Sequence, residues 1–87
     1  DLSQNLQMTL FPNPTDSDIS VDFNLNSAQK LTAQITDVRG KVISSYTIHG
    51  SEGHNAVIID TKQLSKGSYR IQLIGESDVS SLPFNKL

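Results

Sequence analysis

His49 and His54, with Glu52 between them, are the residues of this 87-residue chain best typed for holding a metal. Stable zinc sites need three or four ligands fixed by the scaffold and supported by a second layer of hydrogen bonds. Two histidines in a polar stretch containing Gly50 and Gly53 read instead as solvent-facing turn residues. Asp16, Asp18 and Asp22 place three carboxylates close together, which suggests calcium. That ion takes six to eight oxygens, and the loop pattern with a central glycine and a closing glutamate is absent. Asp16 and Asp18 therefore read as solvating a turn, and Asp22 as the outer face of a strand; carbonyls of a loop are the only other route to calcium. No serine lies in G-x-S-x-G, and no third group is placed to orient either histidine. Gly40-Lys41 lacks the preceding glycine and spacing of a phosphate-cradling loop. The sequence predicts no catalytic residue, no metal and no cofactor.

The elements that carry these residues read as strands. Met8 and Leu10 alternate with polar neighbours, as do Ile19, Val21, Phe23 and Leu25, and then Leu31, Ala33 and Ile35. Val42 to Ile48, Ala56 to Ile59, Tyr69 to Leu73 and Val79 to Leu87 complete a set of about seven short strands. No window offers the apolar face of a helix. Such a set implies two antiparallel sheets packed face to face, an all-β immunoglobulin-like sandwich, with a small barrel as the alternative closure. Residues 8–87 form this one domain and residues 1–7 a tether. The core rests on Ile, Val and Leu, because the chain has no tryptophan and only five aromatic side chains. Tyr46 and Tyr69 fall in the apolar phase, so each packs its ring inward and carries its hydroxyl to the surface.

The connections are legible too. Pro12 and Pro14 flank Asn13; each fixes φ near −65° and lacks an N–H, so neither helix nor paired strand continues through them. Asp37 to Lys41 reads as a tight hairpin loop with Gly40 at positive φ. His49 to His54 reads as a longer polar loop, and Thr61 to Gly67 as an irregular crossover anchored inward by Leu64.

Composition narrows the function classes. Seven basic and nine acidic residues are scattered along the chain for a formal charge of −2, so there is no basic stripe for nucleic acid. No run approaches the length that spans a bilayer as a helix. Cysteine is absent, which excludes a disulfide framework and thiolate chemistry. Asp1, with neither Met nor a leader behind it, reads as the start of a piece cut from a longer protein. A chain of this size has stability on the order of 5 kcal/mol and little room for a deep cleft beside its core.

Four stretches together resemble the type A C-terminal sorting domain of proteins exported by the type IX (Por) secretion system. Leu10-Phe11-Pro12-Asn13-Pro14 resembles its opening motif, and Ile35-Thr36-Asp37-Val38-Arg39-Gly40-Lys41-Val42 its central strand-turn-strand. Leu64-Ser65-Lys66-Gly67-Ser68-Tyr69-Arg70-Ile71 resembles its L-x-x-G-x-Y-x-hydrophobic motif, and Pro83-Phe84-Asn85-Lys86 its closing segment. Pro83 marks the last strand as an edge.

The resemblance implies an immunoglobulin-like sandwich that is not an enzyme but a transport address for a cargo upstream in the same chain. It implies passage through the periplasm, recognition by an outer-membrane translocon or shuttle, removal by a sortase-like peptidase, and a cargo left on the cell surface or secreted. On this reading Phe84, Lys86 and Leu87 are recognition residues, offered at an open sheet edge. Pro12, Asn13, Pro14, Asp37, Gly40, Lys41, Gly67 and Tyr69 mainly fix the fold. The alternative is a carbohydrate- or protein-binding adhesion module of fibronectin type.

Overall fold

The computed structural model describes residues 7–87; the expected tether, residues 1–7, therefore lies outside the described residues except for Gln7. The described chain holds seven strands: β1 (Met8–Phe11), β2 (Asp18–Leu25), β3 (Gln29–Asp37), β4 (Val42–Gly50), β5 (Gly53–Asp60), β6 (Gly67–Ile74) and β7 (Val79–Lys86). They form two antiparallel sheets, β1-β2-β5 and β4-β3-β6-β7. This is the immunoglobulin-like sandwich, with the fourth strand on the sheet that holds β3, β6 and β7.

Period-two alternation builds both inner faces. Ile19, Val21, Phe23 and Leu25 of β2 face Leu31, Ala33 and Ile35 of β3 and Ile71 and Leu73 of β6 in one buried cluster. The polar residues between them, Ser20, Asp22, Thr32 and Gln34 among others, lie on the outer faces. In β5 the apolar run resolves the same way. Val57 and Ile59 turn inward, opposite Val21 and Ile19, while Ile58 is left 64% exposed. Leu64 is buried, as its role of inward anchor for the 61–66 crossover requires.

One connection differs from expectation. The stretch 49–54 is not a long loop: β4 runs to Gly50 and β5 begins at Gly53, leaving Ser51 and Glu52 as the link. Asn55 makes so short a link feasible. Its side-chain carbonyl accepts from the Ser51 N–H at 3.0 Å, and its amide donates to the Ser51 carbonyl at 2.9 Å. His49 and His54 consequently belong to different sheets. His54 instead meets Asp22 at 3.1 Å, on the outer face of β2 and β5. The described residues contain no group of three metal-ligating side chains.

Candidate functional site

Strand register brings the four motif stretches to one end of the sandwich. Asp37 of β3 lies opposite Tyr69 of β6, and Tyr69 opposite Phe84 of β7. One step further along, Ser68 faces Asn85 and Gly67 faces Lys86. Lys86 in turn bridges, in parallel sense, to Thr15 beyond the Pro-Asn-Pro turn. Residues separated by up to 72 positions thus share one row across the sheet and its margin.

At the β3 end, Asp37 organises the hairpin. Its carboxylate accepts from the N–H groups of Arg39 and Lys41 at 2.9 and 3.0 Å, while its main-chain carbonyl accepts from Gly40 at 3.0 Å. Gly40 takes φ +85°, as expected from the turn, and open space surrounds the position where a Cβ would sit. Substitution there strains the backbone without a clash. Gly40→Ala is expected to cost about 1–2 kcal/mol, read as a lower urea midpoint at unchanged slope. Lys41 gives its main chain to the turn and leaves its side chain exposed.

At the β6–β7 end, the rings of Tyr69 and Phe84 stack with centroids 5.6 Å apart. Phe84 is 1% exposed. The Tyr69 hydroxyl reaches out of the core and donates to the Ser65 carbonyl at 2.6 Å. Gly67, at φ +154°, opens β6 opposite Lys86. Lys86 itself is only 8% exposed; its ammonium donates to the Leu64 carbonyl at 3.3 Å and to the Leu87 main-chain oxygen at 3.4 Å. Its aliphatic stem fills space while its charged head finds oxygen at the rim.

β7 is an edge strand, as Pro83 predicted. The expected open edge, however, is covered along residues 83–87. Asn13 donates from its side-chain amide to the Pro83 carbonyl at 3.3 Å and accepts from the Asn85 N–H at 3.1 Å. Thr15 continues the cover with its main chain. Its N–H donates to the Asn85 carbonyl at 2.9 Å, and its carbonyl accepts from the Leu87 N–H at 2.8 Å. Residues 83, 85 and 87 therefore point their peptide groups outward at the 13–15 segment. The donor that Pro83 lacks is one that would have faced that side, which is why a proline is tolerated here.

The structure thus corrects the picture of a receptor-ready margin. Phe84 lies in the core and Lys86 is buried beneath the 61–66 crossover, because β7 carries them on its inward phase. Of the three expected recognition side chains, Leu87 alone is in solvent, at 62% exposure. Pro12, Asn13 and Pro14 are at the surface, and both X-Pro bonds, Phe11–Pro12 and Asn13–Pro14, are cis.

Two residues that hold this end together have no motif of their own. Thr15 is 1% exposed; its hydroxyl donates to the Asp18 carbonyl at 2.6 Å and accepts from the Ser17 N–H at 3.3 Å. Thr61 is fully buried, and its N–H donates to the Ser17 carbonyl at 2.6 Å while its hydroxyl bonds the same oxygen. Together they tie the 12–17 loop to β7 on one side and to the crossover on the other. Their only sequence signal is a threonine beside a turn, which is too common to single out.

The family described as the secretion system C-terminal sorting domain matches residues 9–82. The chain belongs to that family. It is a C-terminal sorting domain of the type IX secretion system. The matched span contains the Pro-Asn-Pro turn, the Asp37 hairpin and the Gly67–Tyr69 stretch, and ends one residue before Pro83. No curated protein matches the chain. A sorting domain of this kind implies a cargo upstream and secretion to the cell surface or the exterior. Among the described residues no helix is long and apolar enough to cross a membrane.

Proposed function

We propose that this domain is read in the periplasm by the outer-membrane translocon or shuttle of the type IX system, and that a sortase-like peptidase then removes it from the exported cargo. The observation that carries this reading is the family match over residues 9–82, joined to the convergence of its motif stretches on one end of the sandwich. That end is the recognised face. Phe84 and Lys86 act from inside it by seating the 83–87 segment, and Leu87 supplies the apolar contact to the machinery. Cargo and address are physically separate in this scheme: the address contributes a shape and an ordered terminal segment.

The test is a fusion. Residues 1–87 are joined behind a periplasmically targeted fluorescent protein in cells with and without a working type IX system. Reporter at the surface or in the medium only where the system works is the expected result, accompanied by a size decrease matching loss of the domain. Reporter held in the periplasm of both strains overturns the reading; export at full length overturns the peptidase step alone.

A further inference from the structure

We infer that Asn13 is a positioning residue whose side chain stands in for a strand beside the end of β7, holding residues 83–87 in the form that the export machinery reads. The inference rests on the sorting role proposed above. An edge strand ends with unpaired peptide groups unless something lies alongside it. Pro12 and Pro14 have no N–H, so the main chain around residue 13 is poor in the donors that sheet pairing needs. The carboxamide of Asn13 replaces them. It has the donor and the acceptor of a peptide unit, and it uses one on the Pro83 carbonyl and the other on the Asn85 N–H. Aspartate offers only the acceptor, and alanine offers neither.

The consequence for recognition is preorganisation. With Asn13 in place and Thr15 bonded on both sides of Lys86, the segment is fixed between β6 and the 13–15 turn, and Leu87 is displayed at a set position. Without the side-chain bonds the end of β7 frays, and a receptor has to supply the order that the domain had provided. Asn13 is exposed and contributes nothing to the buried cluster. Its loss is therefore local.

The experiment follows Asn13→Ala and Asn13→Asp by amide hydrogen exchange and by export of the same fusion. In Asn13→Ala the Asn85 amide is expected to exchange about tenfold faster, the worth of one lost hydrogen bond, while the Ile71 amide in β6 keeps its protection. Export is expected to fall at least about twofold as the competent fraction shrinks, with Asn13→Asp between Asn13→Ala and the parent on both readouts. Unchanged exchange at Asn85 overturns the clamp. Faster exchange with undiminished export overturns its part in recognition. A parent fusion that is not exported refutes the sorting reading itself, and the exchange data still decide whether the clamp exists.

Discussion

Phe84→Ala is expected to leave a large fraction of the domain unfolded at room temperature. The ring is 1% exposed and stacked on Tyr69, and it reaches the core from an edge strand whose other fully inward contact is the Lys86 stem. Removing a buried phenylalanine costs about 3–5 kcal/mol through lost transfer energy and the cavity left behind. A domain of this size has a total on the order of 5 kcal/mol to lose. Collapse around the cavity is limited, because Tyr69 is held at its far end by the Ser65 carbonyl and cannot follow the vacated space. The measurement is a urea titration followed by far-ultraviolet circular dichroism. Retention of the parent midpoint would contradict the placement of Phe84. Phe84→Leu, which refills much of the volume, is expected to recover part of the loss.

Deletion of residues 83–87 is expected to abolish export of a fused reporter, whereas Leu87→Ala is expected to weaken it and leave the fold intact. The two changes separate what a deletion alone confounds. The deletion removes Phe84 from the core and uncovers Gly67–Tyr69 at the edge of β6. It also leaves Asn13 and Thr15 without their partners. Loss of export in that variant reports on folding and recognition at once. Leu87 is 62% exposed, so its truncation changes what a receptor meets at negligible cost to stability. Equal denaturation midpoints for Leu87→Ala and the parent, with reduced export of the variant, locate the contact at that side chain. Full export of the deletion variant would remove the segment from any part in sorting.

The fold was legible because each strand has one buried face, and alternation states which. Leu31-Thr32-Ala33-Gln34-Ile35 admits one reading, and the structure has it. The Asp37–Lys41 turn was legible because only glycine takes its φ +85° position without strain. The 49–54 stretch was misjudged because histidines and glycines resemble a loop, and nothing local announces that Asn55 will fold back to close a two-residue link. The clip over β7 was invisible for a deeper reason. A side chain standing in for a strand leaves no periodicity, and its partners lie 70 and 72 residues away. The burial of Lys86 under the 61–66 crossover was hidden for a related reason. Leu82 and Phe84 mark the inward phase of β7, which Lys86 shares, but nothing local announces that the Leu64 carbonyl will receive its ammonium. Thr15 and Thr61, buried through hydrogen bonds rather than apolarity, escape any reading based on hydrophobic pattern.

The tie between residues 13–15 and residues 83–87 also sets an order of events. A ribosome delivers the Pro-Asn-Pro turn some 70 residues ahead of its partners on β7, so the row that joins the motif stretches cannot close until residues 83–87 have been made. Most of the contacts that complete the sandwich are long-range, and contacts of that kind form late and together. A polypeptide that lacks β7 leaves β6 without its neighbour and the 13–15 turn without its partners. On the proposed reading, the end that the machinery meets exists only on chains in which the 13–15 turn and residues 83–87 have found each other.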